Sequence, residues 1–323
     1  MYADTVVEDK LVHKPRFIAL VFAAMFALFF AFNLADTMFG LFLEPVIGDP
    51  KTSGFHGRFA VAVVLAMLFA LNLVAIGFLP LRLQILVVWF ELLVLFLGFF
   101  YTFDLSLEFI ERKIGFMITR GLFTTLYVSA ISIAIASVIA IIGAIAKLSS
   151  NGFAFAIASF YTSLFRGLPL ILQVYLIYLG LPQLGYVITA VPAGIIALSL
   201  CYGAYMTEIF RAGIESIPKG QWEASRAMGF KFGLTMRRVI LPQAVPVIIP
   251  PTGNQFIAML KDSSLVSVIG VWELMFLART LGQKEYKHME MLITAAMIYW
   301  VLTMILELIQ ARIEAHYRGK GAR

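Results

Sequence analysis

Residues 223–242 read EASRAMGFKFGLTMRRVILP, a basic and polar segment set between strongly apolar runs. The surrounding chain decides what such a segment means. Hydrophobic residues make up 61% of the 323 and charged residues 14%, against roughly 45–50% and 25% in soluble domains. Mean hydropathy is +0.91. The chain is a polytopic, all-α integral membrane protein, and residues 223–242 must fold outside the bilayer between two spans.

Working outward, a helix needs roughly 20 mostly apolar residues to cross a bilayer. Runs at 17–34, 59–79 and 84–103 fill the first third of the chain. A polar stretch at 104–120 is a linker or an interfacial helix. Five further spans fit at 121–146, 168–184, 189–210, 244–260 and 291–310, which makes about eight. Arg166-Gly167-Leu168-Pro169 breaks the run from 152 to 180, because proline removes a backbone donor and disfavours helix before it. Residues 153–165 are therefore expected to lie near the inner surface, with Arg166 snorkelling to the interface. The first apolar run exceeds a signal-peptide core and has no clear small-residue cleavage site, so no cleavable leader is expected.

In a membrane chain, the net charge of +6 bears on orientation rather than on nucleic acid. Lysine and arginine concentrate at both ends (Lys10, Lys14 and Arg16; Arg312, Arg318, Lys320 and Arg323) and in the six basic residues from Arg211 to Arg238. Lys51, Arg58, Arg112, Lys113, Arg120, Arg279, Lys284 and Lys287 fall on the other side. Both termini and the 211–243 loop are thereby expected to be cytoplasmic. The only cysteine, Cys201, rules out an intramolecular disulfide, and His13, His56, His288 and His316 are too scattered to form a ligand-spaced pair.

Within the loop, Pro218 and Gly220 suit a turn that leads into a short helix near 222–228. Glu223 is read in its first turn and Gly229 as its C-terminal cap. A second short helix around 234–240 is expected to end before Pro242. The predicted object is a helix–Gly–helix knob.

The spacing of that knob resembles the Glu-Ala-Ala pattern of permease subunits of bacterial ATP-binding-cassette importers. Glu223, Ala224, Ser225, Gly229, Val239, Leu241 and Pro242 stand at the pattern's positions, with Ser225 for Ala and Val239 for Ile as conservative departures. The flanks are similar to the polar amino-acid (histidine/glutamine/glutamate-type) branch. They are Phe165 to Pro169, Tyr175 to Pro182, Glu208 to Ile214 and Lys261 to Ser267. The resemblance covers roughly 119–315. It implies a five-helix type I permease core at 119–323, with the coupling loop at 211–243, preceded by a three-helix membrane extension at 1–118.

The resemblance also implies that the knob is the coupling helix, with Glu223, Ala224, Ser225, Gly229, Leu241 and Pro242 linking it to an ATPase. The implied partners are two ATPase subunits, a second permease that is identical or related, and a periplasmic amino-acid-binding protein. No G-x-x-x-x-G-K-[ST] phosphate loop occurs in the chain. ATP and Mg are then expected on the partner, and this chain is not itself an enzyme.

Ionisable groups at membrane depth are costly, roughly 2.5–3.5 kcal/mol on insertion scales. Glu208 either pairs locally with Arg211 or lines a route. Pro250, Pro251 and Gly253 predict a helix interrupted within the membrane, which makes Asn254, Gln255, Asp262 and Ser264 pathway candidates. A Lys261–Asp262 polar joint between helices is the competing reading. Glu91 is expected to be protonated or paired with Asn72. Two other functions fit the composition: a proton-coupled secondary transporter, and an importer permease for another small polar solute.

Overall fold

The computed structural model describes residues 14–48, 54–101 and 105–321. Lys10, His13, Lys51, Asp104 and Arg323, used above for charge, histidine spacing or a boundary, lie outside them. The described residues are helical throughout and fall in two compact units, Met1–Phe103 and Asp104–Arg323. Among the described residues six helices are long and apolar enough to cross a membrane, and a bent pair supplies a seventh. The 17-residue α1 is apolar but shorter.

In the first unit α1 (Pro15–Ala31) starts on a proline, whose missing N–H costs nothing in a first turn. Its far end is closed by a residue of α3 (Gly54–Gly77). Arg58 donates to the carbonyls of Phe30 (2.6 Å) and Ala31 (3.2 Å) and lies over the Phe30 ring at 4.5 Å. The guanidinium adds donors to the last carbonyls of the helix, where Phe30 O has only a long 3.3 Å bond from the Asn33 N–H, and complements the dipole there. A 3-10 turn at Leu34–Asp36 and α2 (Met38–Ile47) join α1 to α3, a hairpin the hydropathy pattern does not reveal. The last helix, α4 (Leu81–Tyr101), has no buried residue among those described. Glu91 on α4 accepts two 3.0 Å bonds from the Asn72 amide on α3, the pairing expected from sequence.

The second unit opens with one 42-residue helix, Leu107–Leu148, comprising α5 (Leu107–Phe116), a π turn at Met117–Leu122 and α6 (Phe123–Leu148). Of the two readings for 104–120, the helix is therefore the one observed, and it runs without a break into the next span. Then come α7 (Gly152–Gly167), α8 (Leu170–Gln183) and α9 (Ala190–Glu215). The central α9 buries most of its length, and it does so with small residues. Gly143 of α6 packs so closely that a Cβ there would stand 2.6 Å from the Thr207 hydroxyl of α9. Small side chains let membrane helices approach until dispersion and interhelical hydrogen bonds hold them. Ser199 bonds the Ser132 carbonyl (3.3 Å) across the same seam.

Beyond α9 lie α10 (Lys219–Ala227), α11 (Phe232–Thr235), a π turn at Met236–Ile240 and α12 (Leu241–Asp262). They are followed by a 3-10 turn at Ser263–Ile269, α13 (Leu274–Glu285) and α14 (His288–Gly321). Two expectations need correction here. The helix containing residues 234–240 does not stop at Pro242 but continues into α12. Pro242, which has no N–H to donate, follows directly on the π turn at Met236–Ile240, where the regular α hydrogen-bond pattern is already broken. Nor is the helix interrupted at residues 250–253, since Pro246, Pro250 and Pro251 all sit inside α12. Gln310 of α14 donates to the Pro250 carbonyl (3.1 Å) and to Asn254 Oδ1 (2.9 Å), so a neighbouring helix supplies the polar partners that let prolines persist.

The helix α13 was not expected. Its start is set by the fully buried Glu273, which accepts the backbone N–H groups of Met275 (2.8 Å) and Phe276 (2.7 Å). The same carboxyl accepts the Tyr299 hydroxyl of α14 at 2.7 Å. Burial pushes the Glu273 carboxyl up to about 7, against the pull of those hydrogen bonds.

Candidate functional site

Three features of the second unit lie along α9 and its continuation: a pocket, an ion cluster and an exposed short helix. The pocket begins at the helix break. α7 and α8 meet at 106°, with Leu168 and Pro169 extended between them. The break frees carbonyls that the interior must satisfy. Gln173, 2% exposed, does so by donating its amide to Phe165 O (2.8 Å) and Leu168 O (2.9 Å). With the chain turned away, a cavity of about 360 Å³ opens between the break, α9 and α12, lined by Arg166, Tyr202, Tyr205, Gln255 and Asp262.

The pocket carries a cation from one element and an anion from another. The Arg166 guanidinium lies 5.4 Å over the Tyr205 ring, a cation–π distance. Asp262, the last residue of α12, accepts the Tyr202 hydroxyl at 2.7 Å. An opening of this size with opposed charges and two phenols can hold a small zwitterion. Gln255 and Asp262, named from sequence, share its wall. Asn254 is instead engaged with Gln310, and Ser264 lies in the 3-10 turn outside the lining. Arg166, expected to snorkel away, faces the cavity. Tyr202 and Tyr205 were not picked out, since aromatic residues in an apolar helix carry no signal of their own.

Next to the pocket, Glu208 of α9 gathers cations from three helices. Lys147 at the end of α6 forms an ion pair with it and also donates to Thr162 of α7 (3.0 Å). Arg211 bonds its other oxygen at 3.0 Å and pairs in turn with Glu215. Arg166 stands 3.8 Å from it. The expected Glu208–Arg211 pair is present, and Lys147 and Arg166 add to it.

The α9 helix ends at Ser216, and Pro218, in extended conformation, starts α10. Glu223 is the fifth residue of α10 rather than a first-turn residue, because the helix begins at Lys219, directly after the proline. Gly229 ends it with φ +76°, a left-handed conformation. The Phe230 N–H then reaches back to the Ser225 carbonyl (3.0 Å) and the Gly229 N–H to that of Arg226 (2.9 Å). This is the left-handed cap that favours glycine.

Ser225 is buried, its hydroxyl on the Gln221 carbonyl at 2.8 Å, whereas Glu223, Ala224 and Met228 face outward. Beneath α10, Ile214, Ile217, Ile240, Ala244 and Ile248 form an apolar cluster against which Trp222 and Val239 pack. Gln243 of α12 ties α10 down through Gln221 Oε1 (3.3 Å). Leu241 and Pro242 lie exposed at the start of α12. A compact helix is thus held rigidly by its inner face while its outer face is left open.

Residues 136–319, which contain all three features, match the family model described as binding-protein-dependent transport system inner membrane component. The chain belongs to this family. Its relatives include the arginine transport system permease protein ArtQ of Bacillus subtilis, 42% identical over 198 residues, covering 61% of this chain and 90% of that protein. The L-cystine transport system permease protein TcyB of Bacillus subtilis is 37% identical over 64% of this chain and 89% of its own length. The putative glutamine transport system permease protein GlnP of Rickettsia bellii is 38% identical, covering 61% and 91%.

Among solved structures, an amino acid ABC transporter crystallised with histidines superposes with a TM-score of 0.59 at 38% identity, over 62% of this chain and 93% of that one. The inward-facing MetNI methionine ABC transporter superposes at 0.55 with 22% identity, covering 62% and 96%, and shares the fold. As a family member the chain is a multi-pass, membrane-spanning permease component with an all-helical type I fold.

Proposed function

We propose that this permease is the membrane subunit of an ATP-binding-cassette importer for polar L-amino acids. The pocket carries this reading: Arg166 and Asp262 oppose a cation and an anion around a cavity of about 360 Å³. The free α-carboxylate would meet the guanidinium and the ammonium would meet Asp262. Relatives named for arginine, cystine and glutamine transport support the substrate class. The outward face of α10, with Glu223 and Ala224 presented and Ser225 turned inward, suits docking on a separate ATPase subunit. Glu223, Ala224, Gly229, Leu241 and Pro242 are the coupling residues in this reading, and Ser225 anchors α10, which carries Glu223 and Ala224.

The complete importer pairs two permeases, identical or related, with two ATPase subunits that hold ATP and Mg, and a periplasmic binding protein delivers the amino acid. The α10 side and both termini are cytoplasmic, in keeping with the basic residues from Arg211 to Arg238. ATP-driven closure of the ATPases would push α10, and α9 and α12 would tilt as near-rigid bodies to open the pocket to alternate sides. Of the pathway residues, Gln255 and Asp262 line the route. Glu208 acts beside it, while Asn254 is held by Gln310 and Ser264 stands outside the lining.

The test is uptake in proteoliposomes holding permease, ATPase and binding protein. Labelled L-arginine, L-glutamine or L-cystine should accumulate only with ATP inside the compartment bearing the ATPase. Uptake that follows a proton gradient without ATP, or no uptake of any amino acid by an assembled ATP-hydrolysing complex, would refute the proposal.

A further inference from the structure

Arg166 stands where the pocket meets the ion cluster, and the cluster leaves it incompletely bound. Glu208 is 20% exposed and its two oxygens are already engaged, one by Lys147 and the other by Arg211. The third cation, Arg166, is the most remote at 3.8 Å, too far for a hydrogen bond. Among the described residues its guanidinium donates no hydrogen bond, and its side chain remains 43% exposed while Lys147 is 12% exposed. Two carboxylates, Glu208 and Glu215, face three cations, Lys147, Arg166 and Arg211. Within the cluster the cations outnumber the carboxylates by one, and the remaining carboxylate on the pocket wall, Asp262, accepts the Tyr202 hydroxyl.

A planar guanidinium with free donors at the mouth of a cavity is suited to bidentate capture of a carboxylate. Glu208, by contrast, offers it only a long-range attraction. Arg166 lines the cavity and also stands 3.8 Å from Glu208, so a carboxylate in the pocket and Glu208 would draw on one guanidinium.

We infer that Arg166 is a two-position residue that leaves Glu208 for the α-carboxylate of the bound amino acid, so that filling the pocket loosens the tie between α7 and α9 at Glu208. The inference rests on the amino-acid reading above. It adds a route from occupancy to coupling, because α9 runs from Glu208 through Arg211 and Glu215 directly into Pro218 and α10. An empty pocket keeps Arg166 on Glu208 and holds α7 against α9. A filled pocket withdraws one of three cations and leaves Lys147 and Arg211 to hold Glu208 alone. The substrate's carboxylate and Glu208 are thus competitors for one guanidinium.

Competition makes a prediction that simple anchoring does not. Removing the competitor should tighten binding, but only while Arg166 is present. The experiment measures equilibrium binding of labelled L-arginine, L-glutamine and L-cystine to the purified permease–ATPase complex in nanodiscs, together with its ATPase rate. For the amino acid that binds, Glu208→Gln should lower Kd about threefold to fivefold, the scale of a partly exposed ion pair. It should also raise the substrate-free ATPase rate toward the stimulated one. Arg166→Gln should raise Kd tenfold or more, and in that background Glu208→Gln should have no further effect. The methyl ester of the same amino acid should bind with a Kd that Glu208→Gln leaves unchanged.

Lys147→Met/Glu208→Gln removes both charges of the tightest pair and guards against misfolding from an orphaned lysine. It should show the same fall in Kd. An equal effect of Glu208→Gln in both Arg166 backgrounds, an unchanged Kd, or an ester that tracks the free acid would overturn the relay. So would a substrate-free ATPase rate that stays at the wild-type level. A wild-type complex that neither binds nor imports amino acids would instead overturn the functional reading, and the relay with it. Import with a flat mutant cycle removes the relay alone.

Discussion

Gly229 closes α10 with φ +76°, and a Cβ built there meets nothing within 4 Å. Any effect of substitution is therefore conformational and not steric. An L-residue held in the left-handed region costs about 1–2 kcal/mol, more when β-branched, while asparagine tolerates it better. Gly229→Val forces a choice. Either the strain is kept, or the cap opens and the Phe230 N–H to Ser225 carbonyl bond is lost. Since α10 has nine residues and is too short to be stable alone, about 2 kcal/mol shifts the capped population by a factor of up to roughly 30.

The assay is substrate-stimulated ATPase activity and uptake by the reconstituted importer, normalised to inserted permease. Stimulation should fall severalfold in Gly229→Val, less in Gly229→Ala and least in Gly229→Asn. A valine variant that couples like wild type would refute the reasoning, as would an asparagine variant as damaged as the valine one.

Glu273 makes stability depend on pH. Its folded value of about 7 lies above the ordinary 4.5, so the folded state binds the extra proton between them. The contribution of the protonated group is complete below about 4.5 and is lost as pH rises through 7, amounting to about 3 kcal/mol over the window. Thermal unfolding in detergent from pH 4.5 to 8 should show this decline, and Glu273→Gln should flatten it. Gly143→Val drives a side chain into the buried Thr207 hydroxyl and should cost about 1–3 kcal/mol. Pairing it with Thr207→Ala should recover part of that loss in the same unfolding assay. Glu223→Lys reverses a charge on the open face of α10 and should reduce ATP-driven uptake at least tenfold, with membrane insertion unchanged by fluorescence of a fused reporter. Wild-type uptake would remove Glu223 from the docking face.

The long helices of the second unit were legible as apolar runs, because a bilayer leaves the backbone few other ways to satisfy itself, whereas the 14-residue α8 reaches span length only as a bent pair with α7. The break at Arg166-Gly167-Leu168-Pro169 and the cap at Gly229 were legible for a local reason: proline and glycine constrain the chain wherever they stand. The same local rule failed in α12. Pro250 and Pro251 predicted an interruption, yet Gln310, 60 residues away, supplies polar contacts that help keep the helix whole. It also failed for α13, whose start depends on Tyr299 and buried backbone amides meeting one carboxyl.

Composition and spacing by themselves determined that this is a polytopic helical protein with a short polar helix, closed at Gly229, between two spans. Only the folded arrangement decided that Arg166 faces inward, that Tyr202 reaches Asp262, and that Glu208 collects cations from three helices. Those partners are separated by up to 61 residues in the chain. Periodicity reports which face of a helix is apolar, but contact between charges on different helices depends on packing, here set by the small residues that draw α6 against α9.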